Sequence, residues 1–278
     1  MQAAILVASR VPLKSIPSAR MPSPGNPRAL SSARAAASAA VDLSHRADLV
    51  EMMDQPCSYE ELRGCLHDIA RVNRLTFAYR PTLSWMEELI TARPASSEPL
   101  RVVDVGCGDG DMLRRIDAWA AKRGVPVALI GIDVNPDAIR AAREATPPER
   151  IHQGIQWIVG DALSNAATGD IDVVICSLLT HHLTDPQIVQ FLRWAERIAR
   201  RGWFVNDLHR KPVPYHLFRL WARFTNWHPF VKNDGAVSIR RSFIVEDWKR
   251  LCAAAGLDAK AVSIKEYRPA RLCVGRIK

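Results

Sequence analysis

Nine residues, Val102-Val-Asp-Val-Gly-Cys-Gly-Asp-Gly110, constrain this chain more than any other feature. The apolar run reads as a strand buried on both faces, and Gly106, Gly108 and Gly110 follow it at the mouth of an amphipathic segment. Missing Cβ atoms let a ligand approach the backbone at the carboxyl edge of a sheet. The spacing argues against one common use of such a loop. A dinucleotide site places its third glycine where this chain has Asp111, and Asp104 stands two residues before the first glycine. Carboxylates on both sides suit a cationic ligand better than a pyrophosphate.

Beyond this motif the chain alternates short apolar runs with helical patterns. Strands are predicted at 101–105, 127–133, 155–159, 172–176, 203–207, 259–266 and 271–276. Helices are predicted from Asp111 to Arg123, from the Asn135-Pro136 cap, and from Asp185-Pro186 to a stop at Gly202. Upstream, Ser58-Tyr-Glu-Glu61 is a capping box followed by Leu62, Cys65, Leu66 and Ile69 on one helical face, and Pro81 opens a second helix. The expected fold class is α/β: a Rossmann-like, doubly wound, seven-stranded, mostly parallel sheet with an N-terminal helical extension and a helical insertion after the fifth strand. The expected divisions are a disordered tail over 1–41, a helical cover over 42–100, and a core over 101–278 whose insertion spans about 211–242.

Charge bears on partners. The net charge of +9 is concentrated at the N-terminus, where residues 1–46 carry six basic side chains against one acid, so the body is only mildly basic. No stripe of cations interleaved with aromatics marks a phosphate-tracking groove, and nucleic acid is not an expected partner. No apolar run approaches the roughly 18–20 residues of a membrane span. Five prolines among the first 27 residues, with many Ala and Ser, leave the tail no core-forming period. Its acid-poor makeup resembles a transit peptide but lacks a basic start. The six cysteines are scattered without a CxxC pair, which fits a reducing compartment and a cytoplasmic location.

The glycine motif, with the acids that end the next two strands, resembles the class I S-adenosylmethionine-dependent methyltransferases, especially the bacterial small-molecule branch acting on quinones and polyketides. The resemblance covers about residues 45–278. It implies S-adenosyl-L-methionine as cofactor, held by Asp104, Gly106, Cys107, Gly108 and Gly110. Asp133 with Val134 would grip the ribose hydroxyls, and Asp161 with Ala162 would stand near the adenine amine. Ser177 closes the fourth strand, which lacks the Asn/Asp-Pro-Pro-Tyr pattern of DNA amino-group methylases. Arg80, between two N-terminal helices, is a candidate for the methionine carboxylate.

Two sources of histidine face the acceptor side in this reading. His209 is the first candidate for a general base because Asp207 lies two residues away, and His182, of the His181-His182 pair, is the second. The pair has no third ligand at metal spacing in the sequence, so no metal is expected. The helical stretch from Val213 to about Trp227 and the run to Arg241 are expected to shape the acceptor pocket, with Trp221, Arg240 and Arg241 as substrate contacts. The same helix mixes basic and aromatic residues and allows peripheral membrane contact. Methyl transfer to an oxygen or ring carbon of a small aromatic, quinone-like or polyketide-derived acceptor is the leading function. An NAD-linked oxidoreductase and a non-catalytic cofactor-binding protein are the alternatives.

Overall fold

The computed structural model describes residues 41–92, 98–164 and 170–278. The sequence reading of residues 1–40 as a disordered tail lies outside them. Helices α1 (Tyr59–Leu75) and α2 (Arg80–Ala92) precede β1 (Leu100–Val105), α3 (Asp111–Arg123), β2 (Val127–Asp133), α4 (Pro136–Ala145), β3 (Ile155–Val159) and β4 (Ile171–Ser177). There follow α5 (Asp185–Ile198), β5 (Ala199–Leu208), α6 (Pro212–Arg223), α7 (Pro229–Arg241), α8 (Val245–Ala254), β6 (Ser263–Tyr267) and β7 (Arg271–Ile277). The seven strands form one sheet in the order β3-β2-β1-β4-β5-β7-β6. Strands β1 to β5 pair in parallel, and β7 runs antiparallel between β5 and β6.

Alternation along the central strands divides the apolar side chains between two cores. Val103, Val105, Val174, Cys176, Trp203 and Val205 pack on one face with Phe191 of α5 and Trp248 of α8. Val102, Val173, Ile175 and Phe204 pack on the other with Trp85 and Met86 of α2 and Leu113 of α3. A strand buried on both faces has no polar side to show, which is why β1 and β4 read as continuous apolar runs. Helix α1 starts at the expected capping box, with Ser58 Oγ accepting from Glu61 N–H at 3.3 Å and Glu61 accepting from Ser58 N–H at 2.9 Å.

Three local expectations differ from what is seen, the first being the strand expected over 259–266, which begins only at Ser263 after a turn in which Ala261 N–H bonds the Asp258 carbonyl. The predicted helix stop at Gly202 is not a cap: α5 ends at Ile198, and Gly202 lies inside β5, paired with Val173 and Ile277. A Cβ there would meet the Arg276 carbonyl oxygen at 2.3 Å, so the glycine serves the close approach of β7. The helical stretch expected to reach Trp227 ends at Arg223, and Asp234 to Arg241 belong to the separate helix α7.

The segment before α1 is tied to the sheet's carboxyl edge. Asp234 of α7 accepts the Met52 and Met53 N–H groups at 2.9 and 3.0 Å. Arg46 donates to Asp185 at 2.6 Å, to the Leu183 carbonyl at 2.8 Å and to the Arg241 carbonyl at 2.9 Å. Replacing Asp234 with Ala orphans two partly buried amide donors. We expect a loss of about 2–4 kcal/mol in urea denaturation, on the usual cost of roughly 1–3 kcal/mol per unsatisfied group; an unchanged midpoint would show that the segment is held elsewhere.

Candidate functional site

The cofactor side is built on the loop after β1. Gly106 and Cys107 donate their N–H groups to the Ile132 carbonyl at 2.8 and 3.1 Å, which ties the loop to β2. Gly110 has φ +76°, and a Cβ there would lie 2.2 Å from the ring of Trp157 on β3, so both the turn and the packing need glycine. Gly108, at φ +54°, donates to Asp133 Oδ2 at 3.0 Å, and Asn135 N–H reaches Asp133 Oδ1 at 2.9 Å. Burial raises the Asp133 pKa against these donors. A carboxylate offers about four acceptor positions, so two remain for a vicinal diol.

Asp104 is 2% exposed, and its Oδ1 has no hydrogen-bond partner among the described residues. Burial, followed by the charges of Asp111 and Asp133, pushes its carboxyl well above the usual range. Ser177 Oγ, at the end of the neighbouring β4, is likewise buried and unpartnered. Two orphaned polar atoms beside the glycine loop, one of them an acid, fit the ammonium-bearing end of S-adenosylmethionine and disfavour a pyrophosphate. Asp161 accepts from Leu163 N–H at 3.0 Å and Ser164 Oγ at 2.7 Å, so its carboxylate shapes its own turn. Ala162 and the partly buried Val134 join the apolar cluster beneath. Cys107 is buried, and burial raises its thiol pKa well above the ordinary value.

Arg80 does not follow the expectation. It is exposed, with its guanidinium 5.6 Å from the centroid of the exposed Phe77 ring. A buried arginine at this edge is Arg271 of β7, which donates to Asn73 Oδ1 at 2.9 Å. Asn73 and the Tyr79 hydroxyl in turn donate to Asp111 at 3.1 and 2.8 Å. Neither Asn73 nor Arg271 carries a local sequence signal, because their pairing spans 198 positions.

The second half of the site centres on the turn Thr180–His182. Asp207, fully buried at the end of β5, accepts from the Thr180 hydroxyl, from His181 N–H at 3.1 Å, from His181 Nδ1 at 2.7 Å and from Leu208 N–H at 2.7 Å. Burial alone would raise its pKa, but the His181 charge and these donors hold it well below the usual carboxylate range. His181 Nε2 then faces Glu51 Oε1 at 3.6 Å, and His182 Nε2 faces Glu51 Oε2 at 3.8 Å. His182 Nδ1 lies 3.1 Å from Asp54 Oδ1. Arg241 reaches Asp54 at 2.9 Å, Glu51 at 3.5 Å and the His181 carbonyl at 3.2 Å. Burial pushes Glu51 up to about 7, although His182 and Arg241 oppose it.

This arrangement corrects the histidine argument. Asp207 serves His181 rather than His209. His209 lies past the end of β5, its amide bonded to Ala270, with Nδ1 3.7 Å from Glu266; burial and then Lys211 lower its pKa. His182 lies on the turn that follows β4, and β4 is the neighbour of β1, the strand that leads into the glycine loop. Of the expected substrate contacts, Arg241 enters this cluster. Arg240 lines a groove between α6 and α7, and Trp221 stacks edge-on with Trp227 at 4.6 Å. Glu51 and Asp54 went unrecognised in the sequence. Their only local mark is a pair of acids three apart before the capping box. Glu51 also gives the histidine pair the third ligand-type atom missing from its surroundings in sequence: the three lie within 4.8 Å of one another.

Comparison with known proteins agrees with this geometry. Residues 102–202 match the family described as a methyltransferase domain. The chain belongs to the class I S-adenosylmethionine-dependent methyltransferases, and S-adenosylmethionine is its cofactor. It is 30% identical over 180 residues, 63% of this chain and 71% of the relative, to the ubiquinone biosynthesis O-methyltransferase of Ralstonia nicotianae. It is 26% identical over 154 residues, 52% of this chain and 55% of the relative, to the trans-aconitate 2-methyltransferase of Mycolicibacterium gilvum. A plantazolicin methyltransferase solved with a desmethyl analogue and S-adenosylhomocysteine shares the fold, with a TM-score of 0.55 at 14% identity over 78% of this chain and 96% of that one.

Two outcomes follow from the site. Asp133→Ala is expected to weaken S-adenosylmethionine binding by about 1.5–3 kcal/mol in calorimetry, the scale of hydrogen bonds to a charged group. Glu51 has a folded pKa near 7 against an ordinary 4.5, so its contribution to stability is lost as pH rises from 4.5 to 7 and stays lost above. Glu51→Gln is therefore expected to gain about 3 kcal/mol relative to wild type between acid and mildly alkaline pH. Parallel stability curves for the two proteins would rule out the perturbed acid.

Proposed function

We propose that this enzyme methylates an oxygen of a small aromatic, quinone-like acceptor, with His182 as the general base. The observation that carries the reading is the line Asp54, His182, Glu51 at the carboxyl edge of the sheet, on the turn after β4, the neighbour of β1. The resemblance to ubiquinone O-methyltransferases supports the acceptor class.

Asp54 is held well below the usual carboxylate range, since its bonds to His182 and Arg241 outweigh the effect of burial. It therefore accepts the Nδ1 proton and fixes the imidazole tautomer. His182 Nε2 stands 3.8 Å from Glu51, too far for a hydrogen bond, so its lone pair stays free for an acceptor's proton. Glu51 then lies beside the imidazolium that forms, and Arg241 keeps the cluster of acids from repelling itself. Bound S-adenosylmethionine supplies a methyl group on positively charged sulfur, already activated for in-line transfer. The glycine loop, Asp104 and Asp133 position it, and positioning of reactants is worth on the order of 7–11 kcal/mol. A phenol of pKa about 10 is mostly protonated at neutral pH, so an added base is worth roughly 10²–10⁴-fold.

A cation held by Glu51, His181 and His182 is the competing use of these side chains. The Arg241 guanidinium, 3.5 Å from Glu51, already supplies positive charge there and would repel a dication. With a phenolic acceptor near neutral pH, His182→Ala should lose about 10²–10⁴-fold in kcat with cofactor affinity intact, while His209→Ala stays near wild type. Treatment with EDTA should leave turnover unchanged. Full activity in His182→Ala would leave proximity as the mechanism, and loss of activity on chelation, restored by zinc, would favour the cation.

A further inference from the structure

Helix α6 carries three distinct faces. Tyr215 and Ala222 are buried against the body and Phe218 packs beside Trp227. The opposite side is an apolar stripe left in water: Val213 is 67%, Leu217 58%, Leu220 53% and Phe224 82% exposed, with Trp221 at its edge. At 100° per residue these five positions span about a quarter to a third of the helix circumference, pointing away from the core. Between them and the body lies a basic flank of His216, Arg219 and Arg223. Arg219 and Arg223 line a groove completed from α7 by Lys232 and Arg240.

The chemistry of that groove is one-sided. From Leu208 to Asn233 the sequence holds no Asp or Glu. None of the four cations lining the groove makes an ion pair among the described residues, although the charge of Arg240 helps to lower the pKa of Asp42. Arg240 Nε is buried with no hydrogen-bond partner. Cations without ion pairs bordering an exposed aliphatic and aromatic stripe match the two layers of a bilayer interface, phosphate above and acyl chain below. A nucleic acid would satisfy the cations and leave the stripe in water. A second copy docked stripe to stripe would bring two basic flanks together.

We propose that α6, with the cation-lined groove it shares with α7, docks this enzyme on an anionic lipid bilayer. The stripe enters the acyl boundary with the helix lying flat, and Arg219, Arg223, Lys232 and Arg240 take lipid phosphates. No helix among the described residues is long and apolar enough to cross a membrane, so the contact is peripheral. Arg240 and Arg241 are adjacent on α7, one in the groove and the other on Asp54 and Glu51, so docking sets the acid-base cluster close to the lipid surface. The inference does not depend on which acceptor is methylated.

Flotation of the full chain with vesicles tests it. With about 30 mol % phosphatidylglycerol in phosphatidylcholine, at about 0.1 M salt, the protein should float with the lipid, and about tenfold more weakly with phosphatidylcholine alone. Leu217→Glu with Phe224→Glu should abolish flotation, and Arg219→Glu with Arg223→Glu should weaken it by about tenfold or more. Both pairs lie on the surface, so melting temperature and S-adenosylmethionine affinity should be unchanged. Inorganic phosphate at matched concentration should not release the protein. The proposal is overturned if wild type stays with the lipid-free fraction, if either variant pair floats like wild type, or if free phosphate displaces it. It is equally overturned if the protein does not float and Leu217→Glu with Phe224→Glu converts a solution dimer to monomer.

Discussion

Asp207 sits at the carboxyl end of β5 with no access to water, and a charge in that position persists only because four donors converge on it. Those donors fix the turn after β4, and with it the direction of both histidine rings. His181, committed to Asp207 through Nδ1, turns its other nitrogen to Glu51; Glu51 in turn faces His182, and His182 faces Asp54. Three carboxylates and two imidazoles thus alternate from the sheet edge to the segment before α1. Arg241 touches Glu51 and Asp54, and Asp234 holds the backbone that carries both. The N-terminal segment is therefore bound to the sheet mainly by polar groups, and its position is tied to the protonation of the site.

The two halves of the site solve opposite electrostatic problems. Around the glycine loop, Asp104, Asp111 and Asp133 lie close together, and burial makes two of them reluctant to ionise. A cationic cofactor relieves that strain, so binding energy is available from groups that are poorly satisfied without it. Around the histidines the charges are already largely paired inside the protein, and burial pushes the Glu51 carboxyl up to about 7. In the proposed mechanism one half attracts the ligand and the other holds and moves a proton. The seven strand ends bring them together because β1 and β4 are neighbours in the sheet although about 70 residues separate them in the chain.

Much of the fold was legible because its causes are local. The apolar runs of β1 and β4, the capping box at Ser58 and the glycines after β1 each act over a few residues, and each element appears close to where the sequence puts it. The errors also have physical reasons. Gly202 looked like a helix stop but makes room for the backbone of β7, 74 positions later. Asp207 looked like the partner of His209, two residues on, yet the turn 26 residues earlier claims it.

The sequence by itself therefore determined the class of sheet, the glycine loop and the acids Asp104, Asp133 and Asp161, since these depend on strand period, backbone freedom at glycine and position at a strand end. Tertiary structure alone decided which histidine acquires a carboxylate on each side. Glu51 and His181 stand 130 positions apart, and nothing near either residue announces the other. Burial decided the rest: Arg80 and Arg271 are the same side chain chemically, but only Arg271 is carried by a strand whose register places it among Asn73, Asp111 and Asp207. A side chain's charge is written in the sequence, whereas its solvation and its partners exist only once the chain has closed around it.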